Sequence, residues 1–264
     1  MDMQTSAPVG ELLRHWRQCR RLSQLDLACE AEISTRHLSF LETGRARPSR
    51  EMLLRLAEWL DVPLRERNIL LLAAGYAPVF PERPLADPSM EAAHRTIQRL
   101  LTGHEPYPAL AVDRHWTLVM ANAAVHRMLT DVEETALLQP PVNVLRVSLH
   151  PQGLAPRIAN LGQWRSHLLA RLHRQIEVSG DAALAALFEE LRAYPAPKHT
   201  PEAEHDFAGI AVPMQLRTPA GTLSFISTTT VFGTPVDLTL AELALETFFP
   251  ADEATADALR RLAG

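Results

Sequence analysis

Apolar residues recur at helical intervals through roughly the first 75 positions, broken by capping residues and turns, and the period changes only after that. Over 9–20, Leu12, Leu13 and Trp16 share one face and the arginines largely another, which predicts a helix. Ser23, with Asp26 as the acid of a short capping box, predicts a second helix that turns Leu27 and Ala28 inward. Ser34 predicts the cap of a third helix over 35–43, with Leu38 and Leu41 inward and Gly44 ending it. Pro48 and Ser49 open a fourth carrying Leu53, Leu56, Ala57 and Leu60. Pro63 opens a fifth carrying Leu64, Ile69 and Leu72, which Gly75 stops.

Pro78, Pro81, Pro84 and Pro88 then predict an extended, semi-rigid linker over 76–88, followed by a helix over 89–102. Beyond it the period becomes two. Leu110 and Val112 alternate, 113–115 can turn the chain, and Trp116, Leu118 and Met120 alternate again, so a short hairpin is expected. Asn122 is placed to cap a helix ending at Leu129. The clearest amphipathic helix is expected over 160–177, with Leu161, Trp164, Leu168, Leu172 and Ile176 as its stripe, and another over 181–191. A polar, proline-containing loop is expected over 196–205. Ile210, Val212, Met214 and Leu216, a turn at 218–221 and a threonine-rich run over 223–232 predict a second hairpin. Thr239 with Glu242 has the spacing of a capping box for a further helix, and 252–262 reads as the last. The fold class is therefore α+β: an all-α five-helix domain over 1–76, a linker and connecting helix over 77–104, and a small antiparallel sheet wrapped by helices over 105–264.

Composition sharpens this outline. With 264 residues and 47% hydrophobic content the chain can bury a proper core, and a net charge of −5 argues against both disorder and an overall nucleic-acid coat. The charge is uneven. Residues 14–50 hold eight arginines against four acids, so the rest of the chain carries −9. A basic segment on an acidic body fits a small nucleic-acid module joined to something of another kind. The longest nearly apolar stretch, 69–80, falls short of the ~18 residues of a membrane span. Residues 1–10 lack the pattern of a signal peptide, and Cys19 and Cys29 offer no disulfide framework, so a cytoplasmic protein without membrane partners is expected. No H-E-x-x-H, G-x-S-x-G or phosphate-binding glycine loop occurs, so no catalytic residue is nominated and a non-enzyme is expected. His199 and His205 with Glu202 and Glu204 are the candidate metal ligands, but a polar loop is the commoner context for such residues, and no metal or other cofactor is expected.

Ser23, Gln24, Leu27, Ala28, Ile33, Ser34, Leu38, Leu41, Glu42 and Gly44 together describe two short helices joined by a tight turn. The second exposes Ser34, Thr35, Arg36 and His37 at its N-terminal end, where side chains reach base edges in a major groove. This stretch resembles the helix-turn-helix of phage-repressor-like regulators, the xenobiotic-response-element family, over 9–74; Glu32 departs from the pattern, since the family usually has glycine in the turn. The resemblance implies that Gln24, Arg45 and Arg47 bind phosphates and that Thr35, Arg36 and His37 read sequence, with Arg36 the leading candidate because a guanidinium makes two hydrogen bonds to guanine. Phe40 either touches a thymine methyl or packs against the fold, and packing is also open for His37.

A second resemblance is carried by Asn143, Val144, Leu145 and Arg146, by His150, Pro151 and Gly153, by Asn160 and Trp164, and by a C-terminal run of Phe232, Gly233, Thr234, Pro235, Asp237, Leu240, Glu242, Leu243, Glu246, Phe249, Pro250 and Asp252. Over 106–252 the chain resembles the ligand-binding domain of MmyB-like transcription regulators. That likeness implies a PAS-like fold and a fatty acid or related amphipathic molecule in a cavity between sheet and helices. A carboxylate head needs a donor, and Arg146, His150 and His167 are the candidates, with Trp164 beside them on the amphipathic helix. The structural alternatives are pairing of Arg146 with Glu242 or Glu246, helix capping by His150, and a core position for Trp164.

The reading that follows is a transcription regulator that binds a double-stranded DNA operator and senses a small apolar or amphipathic ligand. Operator half-sites one helical turn apart, ~34 Å, imply a homodimer formed through the C-terminal domain or the helix after the linker. The alternatives are an enzyme or carrier for an acyl or xenobiotic substrate with an autoregulatory DNA-binding head, and a C-terminal domain that only dimerises.

Overall fold

A computed structural model describes residues 7–195, 212–233, 235 and 237–263. Contacts divide the chain into two compact units, one within Met1–Arg83 and Thr234–Ala241, the other within Pro84–Gly233 and Glu242–Gly264.

The first unit contains α1 (Val9–Cys19), α2 (Gln24–Glu30), α3 (Thr35–Glu42), α4 (Arg50–Trp59) and α5 (Leu64–Ala73). Leu13, Leu27, Leu38, Leu41, Leu53, Leu56 and Leu60 are fully buried at its centre beside Trp16. One expectation fails in α5. Leu72 is 50% exposed, and Leu70 and Leu71 are the buried pair. The run Ile69 to Leu72 is apolar at every position, so its sequence carries no phase.

The helix ends share one device. After α1, α2, α4 and α5 the chain enters the left-handed region at Arg21, Glu32, Asp61 and Gly75. The next residue, Leu22, Ile33, Val62 or Tyr76, donates its N–H back to the carbonyl of Arg17, Ala28, Ala57 or Leu71. This is a Schellman closure with its apolar residue turned to the core. Glu32 thus holds the turn conformation that glycine adopts without strain, at φ 53°.

The expected linker is partly inside this unit. Asn68 accepts from the N–H groups of Val79 and Phe80 and donates to the Phe80 carbonyl, while Tyr76 donates its hydroxyl proton to the Pro48 carbonyl. A buried asparagine that satisfies backbone polar groups fixes 76–80 against α5, so the compact unit runs beyond the expected boundary at residue 76. It also regains a short helix from far along the chain, α11 (Leu238–Ala241).

The second unit opens with α6 (Glu91–Gly103), β1 (Ala109–Val112), β2 (Leu118–Ala121), α7 (Ala123–Leu129) and α8 (Val144–Leu149). It continues with α9 (Leu161–Ser179), α10 (Ala182–Ala193), β3 (Met214–Thr218), β4 (Gly221–Val231), β5 (Ala244–Pro250) and α12 (Glu253–Ala263). The five-stranded antiparallel sheet has the order β2-β1-β5-β4-β3. The fold is α+β, with the sheet and helices in the PAS-like arrangement expected. Both edges are covered: Leu118 donates its N–H to the Val142 carbonyl beside β2, and Ala159 donates to the Gln215 carbonyl beside β3.

Two expected hairpins are present, but the central strand β5 replaces the helix expected after Thr239. The Thr239 hydroxyl donates to the Arg83 carbonyl instead of capping, and α11 ends at Ala241. Trp116, expected in a strand, stands in the β1–β2 turn with φ 65°. The expected loop over 196–205, with His199, Glu202, Glu204 and His205, lies outside the described residues, as does Ile210. Among the described residues no helix is long and apolar enough to cross a membrane.

Candidate functional site

The first candidate surface is built on α2 and α3. Ser23 and Asp26 form the predicted capping box, and the Ser34 hydroxyl accepts from the His37 N–H, so both helices begin where the sequence indicates. The α3 N-terminus presents exposed Arg36 and half-buried Thr35 and His37; Ser34 is spent on the cap. Phe40 is half-buried, and its ring lies 5.4 Å from the Arg36 guanidinium carbon and 6.0 Å from that of Arg45. It therefore steadies one side chain expected to read bases and one expected to bind phosphate. Arg47 is exposed beyond it.

Behind this surface lies a buried charge cluster. Arg17 donates to both oxygens of Glu42, at 2.6 and 2.9 Å, and Gln24 Nε2 donates to Glu42 Oε2 at 2.8 Å. Burial pushes the Glu42 carboxyl up, but the hydrogen bonds from Arg17 and Gln24 and the charges of Arg17 and Arg14 outweigh it and leave the group below its ordinary value. Gln24, half-buried, is thus held at the start of α2 by α3 itself. Gly10 makes the packing possible: a Cβ there would lie 2.5 Å from the Leu41 carbonyl oxygen and 2.6 Å from that of Glu42.

The second candidate site is a partly open cavity of about 90 Å³ between the sheet and α7, α8 and α9. Its walls are almost wholly apolar. Leu110 and Leu118 come from the sheet, Val125 and Met128 from α7, Leu145 and Val147 from α8, and Trp164 and Leu168 from α9. Polar character is confined to Ser148, Ser227, Arg171 and Glu246. Arg171 donates to both Glu246 oxygens, at 3.0 and 2.6 Å, and to the Thr229 hydroxyl at 2.7 Å. Its guanidinium carbon lies 4.5 Å from the centre of the Trp116 ring, whose indole N–H donates to Gln175. Trp116 stands in left-handed backbone and is among the residues that line the cavity.

Of the four residues expected to touch a ligand, Trp164 lines the cavity and Arg146, His150 and His167 do not. Arg146 makes a two-pronged ion pair with Glu190, neither with Glu242 nor with Glu246, because α10 packs beside α8. That hydrogen bond is the main cause of the lowered Glu190 carboxyl, and burial together with Glu190 pushes the Tyr194 hydroxyl far up. His150 Nδ1 accepts from the Gln152 N–H, and its ring meets that of Tyr194 edge-on. His167 stacks on Trp164 from behind, and burial followed by the charges of Arg171 and Arg174 lowers its imidazole, favouring the neutral form. Arg171 lies seven residues after Trp164 on the same helical face, a spacing that could have nominated it; Glu246 carried no such signal.

The family asparagines do structural work. Asn143 caps α8 and donates to the His115 carbonyl. Asn160 joins α9 to β3 by donating to the Pro213 carbonyl and accepting from Gln215. Asn122, the expected cap of α7, also accepts from Ala109 and donates to the Leu101 and Tyr107 carbonyls. Among the described residues no group of three His, Cys, Asp or Glu side chains is placed to hold a metal.

Two family profiles match this chain. That of the helix-turn-helix domain covers residues 8–70, and that of the MmyB-like transcription regulator ligand binding domain covers 93–262. Among solved structures, the clp gene regulator ClgR from Corynebacterium glutamicum is similar at 24% identity over 40% of this chain and 97% of that one, with a TM-score of 0.23, too low to carry an argument. Curated proteins give no match. The ligand-binding profile spans well over half of the sequence and follows a helix-turn-helix head, and this protein accordingly belongs to the MmyB-like transcription regulators, DNA-binding proteins with a ligand-binding domain.

Proposed function

We propose that the protein is a one-component regulator in which α3 reads an operator and the cavity of the second unit takes a small apolar or amphipathic ligand that biases DNA affinity. The observation that carries this reading is the partly open apolar cavity within the matched ligand-binding domain. Arg36, with Thr35 and His37, reads bases; Gln24, Arg45 and Arg47 fix the register on phosphates, and Phe40 supports Arg36 and Arg45. The regulator acts as a homodimer, because half-sites ~34 Å apart need two heads. It acts without catalysis and in the cytoplasm.

Each methylene buried is worth ~0.8 kcal/mol, so an alkyl chain supplies ample affinity if the cavity is dry. At about 90 Å³ the cavity is smaller than the ~150 Å³ site that holds a benzene. A long chain such as a fatty acid therefore enters by displacing wall side chains, and Met128 and Met214 are the most adaptable of these. The movement ties ligand size to conformation, and a coupling of ~1–3 kcal/mol suffices for regulation.

The test is binding of the purified protein to DNA upstream of its own gene at fixed salt, before and after denaturing extraction of bound lipid and refolding. Specific binding whose affinity changes with the lipid supports the proposal. Specific binding that ignores it reduces the second unit to a dimerisation body.

A further inference from the structure

We infer that the β1–β2 turn is the relay by which occupancy of the cavity reaches Glu242, the residue that directly follows α11. The inference rests on the ligand reading above and gives it a route: Arg114, Trp116 and Glu242 all belong to the second unit, whereas α11 belongs to the helical one.

Trp116 starts the relay. It is 6% exposed, lines the cavity and stands at φ 65°. A bulky side chain in left-handed backbone is strained, and such strain persists only where the surroundings over-determine it. Here they do. Asp113 Oδ1 accepts from the N–H groups of His115 and Thr117, each at 2.8 Å, Asn143 donates to the His115 carbonyl, and the Val144 N–H donates to the Trp116 carbonyl. The turn is therefore a rigid piece held in a strained state, and a strained state has a relaxed one to move to when the wall beside it is displaced. Such a two-state element is what coupling between sites requires.

Gln175 on α9 joins Trp116 to Arg114. Its Oε1 accepts from the Trp116 indole N–H at 2.9 Å, and its Nε2 donates to the Arg114 carbonyl at 2.8 Å. The Arg114 guanidinium then spans two acids, 3.3 Å from Asp181 and 3.7 Å from Glu242. Asp181 is fixed on α10, where it accepts from the Ala183 and Leu184 N–H groups and lies 2.8 Å from His115 Nε2. The longer Arg114–Glu242 pair is the one that a shift of the turn makes or breaks, and it acts on the chain between the end of α11 at Ala241 and the start of β5 at Ala244.

The experiment measures operator affinity of the full-length protein by fluorescence anisotropy at fixed salt, with its bound lipid and after denaturing extraction and refolding, the lipid content being followed by mass spectrometry. In the native protein the two affinities should differ by at least about fivefold. Arg114→Gln and Glu242→Gln should each carry lipid at the native ratio and shrink the difference to less than about twofold. Asp181→Asn keeps the cap of α10 and leaves Arg114 to Glu242, so the native difference should survive in it. A native-sized difference in either of the first two variants, loss of their bound lipid, or a lost difference in Asp181→Asn overturns this inference alone. A native protein whose operator affinity ignores the lipid overturns the ligand reading and this inference with it.

Discussion

Arg83 Nε donates to Asp237 Oδ2 at 2.8 Å across 154 positions of sequence. Asp237 is 1% exposed, and around it the Leu238 N–H donates to the Pro81 carbonyl and the Thr239 hydroxyl to the Arg83 carbonyl. The chain between β4 and β5 thus folds with the helical head, although those two strands supply Ser227, Glu246 and Phe248 to the cavity. On the proposed ligand reading, a wall displaced by the ligand has a chain connection to the segment anchored at Asp237. Asp237→Ala should leave ligand-free operator affinity within about twofold and abolish the ligand's effect on it, as read by fluorescence anisotropy before and after extraction of bound lipid. An undiminished ligand response in this variant would remove the segment from the signalling route.

Gly10 sits where α1 crosses the last turn of α3, and there the backbone leaves no room for a methyl group. Neither carbonyl that a Cβ would strike can swing away, since both belong to helical backbone. Gly10→Ala should destabilise the helical unit by about 1–3 kcal/mol in urea denaturation and weaken operator binding through displacement of α3.

Glu32 makes the opposite case. Its left-handed backbone at φ 53° costs a non-glycine residue ~1–2 kcal/mol, and the flexibility of glycine in the unfolded chain takes back part of what is recovered. Glu32→Gly should therefore stabilise the helical unit by up to about 1 kcal/mol without altering DNA specificity. A loss of stability would mean that the Glu32 side chain contributes more than its backbone strain costs.

The helical head was legible because its signals are local. Ser23, Ser34 and Ser49 cap the helices they precede, and Leu38 and Leu41 are buried on the predicted face. The sheet was legible only at its hairpins, where strand and turn adjoin in sequence. β5 was not, because its burial does not alternate, with Leu245 and Glu246 both buried and Thr247 and Phe248 both half-buried, and Thr239 with Glu242 imitated a helix start. The cavity's charged pair was hidden for another reason. Arg171 and Glu246 lie 75 positions apart, on α9 and β5, and only the packing of that helix against the sheet brings them together. Arg146 on α8 and His150 at its C-terminal cap, suggestive in sequence, face α10 and Tyr194 instead of the ligand space.

The Arg17–Glu42 pair predicts how the head responds to acid. The folded-state carboxyl lies below its ordinary value of 4.5, so the folded protein binds fewer protons than the unfolded chain as pH falls. The pair's contribution is complete above that ordinary value and is lost as pH drops through the folded value. Glu42→Gln leaves the buried guanidinium uncompensated and should cost on the order of 3 kcal/mol at neutral pH. Its stability and that of the native protein should converge in thermal melts only as pH falls from 4.5 through the lowered folded value. Parallel curves at all pH values would show that Glu42 stabilises by shape alone.

The division of labour on the α3 surface has a direct readout in binding-site selection. Arg36 is exposed at the helix N-terminus; on the proposed reading it makes a two-pronged hydrogen bond to guanine, a contact that discriminates by about 1–3 kcal/mol at one base pair. Arg36→Ala should flatten the preference at that position and leave the others intact. Gln24 is anchored by Glu42, and with the phosphate role proposed for it Gln24→Ala should weaken binding to every sequence alike. Phe40 lies between these cases. Its ring supports one arginine of each kind, so Phe40→Ala should lower affinity for all sites and blur the Arg36 position as well. If Arg36→Ala leaves the selected sequence unchanged while Phe40→Ala shifts a thymine position, the base-reading role belongs to the ring and the arginine serves the backbone.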